Sequence, residues 1–201
     1  MAEFFKKKKQ EEKKLSWQEN VLLYLHDLVY LLVAVMVSFL IVFRVIIVSG
    51  SSMKMTLLDG DYLLLLSNVF YQEPEHGDIV VISKESFDNG EPIVKRVIAT
   101  EGQIVDIDFE NGIVYVDGLP LEEPYINALT TNAEGVLFPL VVEEGCIFVL
   151  GDNRPVSRDS RSPDIGLVDK REVMGKAVFL MIPGDHRGEE TRDFNRIGVI
   201  K

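Results

Sequence analysis

Residues 103–116 read QIVDIDFENGIVYV, two alternating runs joined across Glu110, Asn111 and Gly112. Period two sends successive side chains to opposite faces of a strand. Asn-Gly supplies the positive φ values that a tight hairpin requires. The stretch therefore predicts an antiparallel hairpin, and Asp117-Gly118 predicts the turn after it. Outward from this hairpin, short alternating or β-branched runs recur at residues 61–66, 78–82, 93–99, 146–150 and 176–182, separated by Gly, Pro, Asn and Asp. No run between residues 49 and 170 keeps helical periodicity over ten or more positions, and no internal repeat is present. The expected class is mainly β, with antiparallel sheets. Residues 127–144 (NALTTNAEGVLFPLVVEE) fit no strand pattern and read as a variable excursion, and residues 184–201 read as a polar, peripheral tail.

Toward the N-terminus the pattern changes. Residues 28–48 read LVYLLVAVMVSFLIVFRVIIV, with Arg44 the sole charge. At a rise of ~1.5 Å per residue, a helix of this length crosses a hydrocarbon core of ~30 Å. Cleaved secretory signals have apolar cores of roughly 7–15 residues and a small-x-small cleavage site, so the segment reads as a retained anchor, placed at residues 20–48. Residues 1–19 form a basic arm of six lysines and four glutamates, net +2. Lysine clusters beside a membrane span stay on the cytoplasmic side, which places the domain from residue 49 onward outside the cell. Membrane lipid is the expected partner of the anchor.

The chain of 201 residues has 32 acidic and 21 basic side chains, a formal net charge of -11. Residues 49–201 hold 27 acidic and 14 basic groups, net -13, which excludes a polyanion-binding groove and with it a nucleic-acid partner. The single cysteine, Cys146, can form no internal disulfide and sits in the apolar run CIFVL. His26, His76 and His186 share no ligand spacing, so no metal or other cofactor is called for.

Three places carry polar groups that strand patterning does not require. Residues 49–53, SGSSM, follow the anchor and taken alone read as a helix end and turn. In IVKRVIA, period two puts Lys95 with Ile93 and Val97 on one face, and Arg96 with Val94 and Ile98 on the other. On local evidence that is an edge strand with both cations solvated. Residues 151–161, GDNRPVSRDSR, alternate in charge as a solvated loop does.

In the order SGSSMKMTL, GDIVV, KRVIATEGQ and GDNRPVSRDSRSPDIGLV, behind an N-terminal anchor, the chain resembles the bacterial type I signal peptidases over residues 28–183. The resemblance implies a signal-peptidase-type β domain at residues 49–183 and a membrane-bound serine endopeptidase that removes signal peptides from secreted preproteins. Matched position by position, Ser52 is the nucleophile and Lys95 the general base. Ser157 hydrogen-bonds and orients the lysine, Asp159 and Arg161 brace the site, and Asp152, Asn153 and Arg154 support the same loop. The family's apolar subsites imply small residues at -1 and -3 of the cleaved chain. A lysine where the endoplasmic-reticulum type has histidine points to the bacterial form.

Two positions depart from the family pattern. Met55 stands where a proline is usual, which leaves the loop after the nucleophile freer. Gly50 stands where some members carry a serine that donates to the oxyanion, so the oxyanion hole rests on main-chain N–H groups, chiefly that of Ser52. The alternative reading, supported by Met55, is an anchored β domain that binds exported or envelope proteins without cutting them.

Overall fold

The computed structural model of the protein describes residues 17–184 and 192–200. The lysine cluster of the expected basic arm lies outside the described residues. Two compact units are present, divided between Leu40 and Ile41.

The first unit is built on α1 (Trp17–Val42), 26 residues or about 39 Å of helix. None of its residues is buried, although nearly all are apolar. Exposed Leu, Val, Ile and Phe on every side make a helix long and apolar enough to cross a membrane. The Ser38 hydroxyl is satisfied within the helix, donating to the Ala34 carbonyl at 2.8 Å. The helix is shorter at its C-terminal end than the span expected. Residues 43–47 leave it to form a strand, because Val45, Ile46 and Ile47 are β-branched and find strand partners in the run that begins at Tyr62.

The second unit is all β apart from short 3₁₀ turns among the described residues. Its strands are β1 (Phe43–Ile47), β2 (Tyr62–Ser67), β3 (Ile79–Ile82), β4 (Ile93–Thr100), β5 (Ile104–Asp108) and β6 (Ile113–Val116). They continue with β7 (Leu119–Pro120), β8 (Leu140–Val141), β9 (Cys146–Leu150), β10 (Val168–Asp169), β11 (Val173–Ile182) and β12 (Gly198–Val199). One sheet runs β1-β2-β11-β3-β4-β9-β10 with β12 on β11, and a second runs β7-β6-β5-β8. Every pairing is antiparallel.

The hairpin read first from sequence is β5–β6, with Val105 opposite Val116 and Asp108 opposite Ile113. Its connection has four residues, and of Asn111 and Gly112 only the glycine has positive φ, at 70°. Asp108 supplies the rest of the turn by accepting the Glu110 and Asn111 N–H groups, both at 3.0 Å. Asp117 (φ 52°) and Gly118 (φ 77°) make the two-residue turn into β7. The tail expected to be peripheral returns to the sheet: β12 pairs with β11, and Ile200 packs on the core around Met53 and Leu57.

Strand β4 lies between β3 and β9 rather than at an edge, and it feeds all three apolar clusters through Val94, Ile98 and Val97. Lys95 and Arg96 are therefore buried at 3% and 2% exposure. The expectation of an edge strand with two solvated cations is overturned.

Met55 has φ 94°, a conformation that proline's ring forbids and that costs an L-residue about 1–2 kcal/mol. Met55→Gly is expected to raise the thermal unfolding midpoint, and Met55→Pro, although it restores the commoner family residue, to lower it. Calorimetry of the detergent-solubilised protein reads both.

Candidate active site

The loop between β1 and β2 is closed at its neck by two main-chain bonds, Val48 N to Asp61 O at 2.9 Å and Gly60 N to Val48 O at 2.8 Å. Inside it, Thr56 and Leu57 donate to the Met53 carbonyl at 3.1 and 2.8 Å, and Met53 and Leu57 bury their side chains in the core. These two apolar plugs fix the loop and leave Ser52 partly exposed.

Lys95 reaches the loop from β4. Its Nζ lies 2.9 Å from Ser52 Oγ and also donates to the Val94 carbonyl at 3.1 Å. Burial pushes its ammonium down from an ordinary value of 10.5 to about 8, against the pull of Asp159, Asp152 and Glu134, with Arg161 reinforcing the fall. The neighbouring cation behaves differently for a chemical reason. A guanidinium cannot shed its proton, so Arg96 must be paired. It donates from Nε and Nη2 to the two oxygens of Asp152 at 2.9 and 2.8 Å and from Nη1 to the Gly77 carbonyl at 2.9 Å, and its guanidinium lies 4.0 Å from the Tyr125 ring centroid. Among the described residues Lys95 hydrogen-bonds no carboxylate. Of two adjacent buried cations, one is balanced by a carboxylate partner and the other has its proton held less tightly.

The 151–161 loop supplies the frame. Asp152 also accepts the Thr56 hydroxyl, tying the Ser52 loop to the Arg96 pair. Asn153 donates from its main chain to Ser52 O and from Nδ2 to Ser51 O, both at 2.9 Å, and accepts Asn127 Nδ2 at 2.7 Å. Arg154 holds both Glu123 oxygens at 3.1 and 2.6 Å, the Thr130 hydroxyl at 2.6 Å and the Gly151 carbonyl at 3.0 Å. Asp159 and Arg161 form a buried two-point pair at 2.8 and 2.9 Å, and Asp159 also accepts the Gly151 N–H at 3.0 Å. These five side chains are at most 5% exposed and each is satisfied, so the loop read as solvated is largely buried, with Pro155, Val156 and Arg158 left exposed. A Cβ on Gly151 would lie 2.6 Å from the Ser52 carbonyl and 2.2 Å from Ser157 Oγ, so only glycine lets the two segments meet.

Ser157 departs from the expectation. It is buried beside the pair, but its hydroxyl points to the Arg158 carbonyl at 3.5 Å and its N–H to Asn153 O at 2.9 Å, not to Lys95. Its own tight turn holds it. Sequence reasoning also missed Thr56, Asp61, Glu123, Tyr125 and Glu134. The last lies in the 127–144 excursion, 3.4 Å from Arg161. Thr56 lies in the quoted run SGSSMKMTL but was given no role, and the other four bear no local motif, their ionic and cation-ring partners being tens of positions away.

A groove of about 520 Å³ borders the site. It is lined by Val45, Ile46 and Ile47 of β1, by Glu91, Pro92 and Val94 around the start of β4, and by Ser49 and Tyr62. Strand β1 is a sheet edge, and β9 joins β4 only from Arg96 onward.

The β domain thus carries a buried lysine whose ammonium nitrogen lies on a serine hydroxyl, in a chain with one helix long and apolar enough to cross a membrane among the described residues. The chain matches the family described as signal peptidase, peptidase S26, over residues 21–182, and it belongs to that family. It is 35% identical over 164 residues to signal peptidase I of Bacillus licheniformis, covering 76% of this chain and 86% of that protein. Identity to the probable signal peptidase I-1 of Synechocystis is also 35%, over 150 residues, 71% of this chain and 72% of that protein. A crystal structure of a signal peptidase I from Enterococcus faecalis V583 is 33% identical, covering 52% of this chain and 96% of that one at a TM-score of 0.43. The chain is accordingly a signal-peptide-cleaving serine peptidase, and the non-cutting alternative is set aside.

Activity that needs the neutral amine should rise with pH through an apparent value near 8 and level off above it. The same depressed value means that the unfolded chain binds a proton the folded one has released between about 8 and 10.5, so stability rises with pH across that window. Lys95→Met is expected to melt at a higher temperature than wild type at pH 7 while losing activity.

Proposed function

We propose that Ser52 is the nucleophile and Lys95 the general base of this peptidase, a reading carried by the 2.9 Å contact between Lys95 Nζ and Ser52 Oγ. A free lysine is almost wholly protonated near neutrality and cannot take a hydroxyl proton. A lysine held at about 8 supplies a substantial neutral fraction. Ser52 Oγ attacks the scissile carbonyl as its proton passes to Lys95 Nζ. The tetrahedral intermediate collapses, Lys95 returns the proton to the leaving amine, and the acyl group stays on Ser52 as an ester. A water that gives its proton to Lys95 then attacks the ester and restores the serine. The Ser52 N–H has no acceptor among the described residues, which supports its use as an oxyanion donor.

The groove supports an extended substrate. A strand laid between the β1 edge and the first residues of β4 gains main-chain hydrogen bonds from both, and alternate side chains enter the apolar lining. Small residues at -1 and -3 suit walls of Val, Ile and Pro that stand this close to the main chain. The basic arm is cytoplasmic, the β domain lies outside the cytoplasmic membrane, and the anchor contacts lipid.

The test is cleavage of a purified preprotein in detergent. Ser52→Ala, Lys95→Ala and Lys95→Arg are each expected to abolish cutting while remaining folded, since guanidinium keeps the charge but cannot accept a proton. Wild-type turnover by Lys95→Arg would sink the dyad. A preprotein with a bulky residue in place of Ala at -1 should survive intact. Orientation is read separately: protease added to intact protoplasts is expected to degrade the β domain, whereas survival until permeabilisation means that the assigned topology is reversed.

A further inference from the structure

The C-terminal segment makes a contact with the nucleophile loop that the proposed chemistry does not use. Asp61 is fully buried at the loop's neck, and four donors converge on its carboxylate. Leu58 N lies 2.7 Å from Oδ2 and Gly184 N lies 2.7 Å from Oδ1. Arg196, 135 positions along the chain, completes the set with Nη1 to Oδ1 at 3.0 Å and Nη2 to Oδ2 at 2.6 Å. The same Nη2 donates to the Thr56 carbonyl at 3.4 Å. Thr56 follows the strained Met55, and its hydroxyl is bound to Asp152 on the opposite side.

Arg196 is in turn held by its own segment. Asp193 caps the 3₁₀ turn Phe194–Arg196, β12 pairs with β11, and Ile200 N donates to the Val178 carbonyl at 3.2 Å. The loop that presents Ser52 is thus gripped from two sides. Asp152, with Arg96, holds the Thr56 hydroxyl; Arg196 holds the Thr56 carbonyl and the neck.

We propose that residues 193–200 form a clasp and that Arg196 is a positioning residue for Ser52, fixing the loop after the nucleophile where other members of the family have a proline. The proposal rests on the reading of Ser52 as nucleophile. It assigns the grip to a planar fork: the guanidinium spans both Asp61 oxygens and still reaches a carbonyl, which a lysine ammonium, a point donor, cannot do. A misplaced nucleophile slows the chemical step without weakening substrate capture, so the signature is a fall in kcat at nearly constant KM.

The experiment uses the full chain in detergent with a purified preprotein, with thermal unfolding followed on the same samples. Arg196→Lys keeps a cation beside the buried carboxylate. It is expected to remain folded at the assay temperature, with kcat lowered about tenfold or more and KM within about twofold of wild type. If Arg196→Lys is unfolded there, the pair Asp61→Asn with Arg196→Gln, which leaves no charge buried, is read in the same way. Wild-type kcat in either folded variant overturns the clasp, and so does a loss of activity that merely tracks the unfolded fraction. Ser52→Ala in parallel separates the two readings. If it is inactive and the Arg196 variants turn over normally, the clasp alone fails; if it still cleaves, the nucleophile assignment fails and the clasp with it.

Discussion

One ammonium removed from water organises this site. Lys95 is 3% exposed and its nearest hydrogen-bond partners are a hydroxyl and a main-chain carbonyl, neither of which stabilises positive charge as a carboxylate does. Desolvation therefore wins over the attraction of Asp159, Asp152 and Glu134, which act without a direct hydrogen bond. A carboxylate placed on Lys95 Nζ would make a strong pair and leave no base.

That requirement explains the arrangement around it. Two of the acidic groups that act on the lysine are occupied by guanidinium forks, Asp152 by Arg96 and Asp159 by Arg161, and a third fork, Arg154, holds Glu123 in the same network. Each pair is planar and two-pointed, so each fixes an orientation as well as a charge. Removing one partner of such a pair would strand a charge in the interior, which costs on the order of 3–5 kcal/mol. The site is rigid because its frame tolerates no half-made pair.

The β class, most strands and the polar positions of the site were legible in the sequence, because each leaves a local trace: alternation, turn dipeptides, or charge in an apolar run. The fate of Lys95 and Arg96 was not. Period two places them on opposite faces, but whether those faces meet water or other strands depends on β3 and β9, which pair with β4 from residues far along the chain. Residues 43–47 read as the end of the anchor because the same β-branched side chains suit lipid and a sheet, and pairing with β2 decides between them. Asp61 and Arg196 form a buried pair across 135 positions with no motif at either end. The catalytic assignments of Ser52 and Lys95 came from resemblance. The contact between them is a result of the fold.

The order in which the parts of the site appear along the chain also orders them in time during synthesis. Ser52 and Lys95 leave the ribosome first, Asp159 and Arg161 some sixty residues later, and Arg196 a further 35 residues on. Domains form as their N-terminal parts emerge, but contacts of high sequence separation wait for the later partner. The loop carrying Ser52 cannot receive its tie from Arg196 until that residue has been made, so a nascent chain that stops short of it lacks one of the two grips on Thr56.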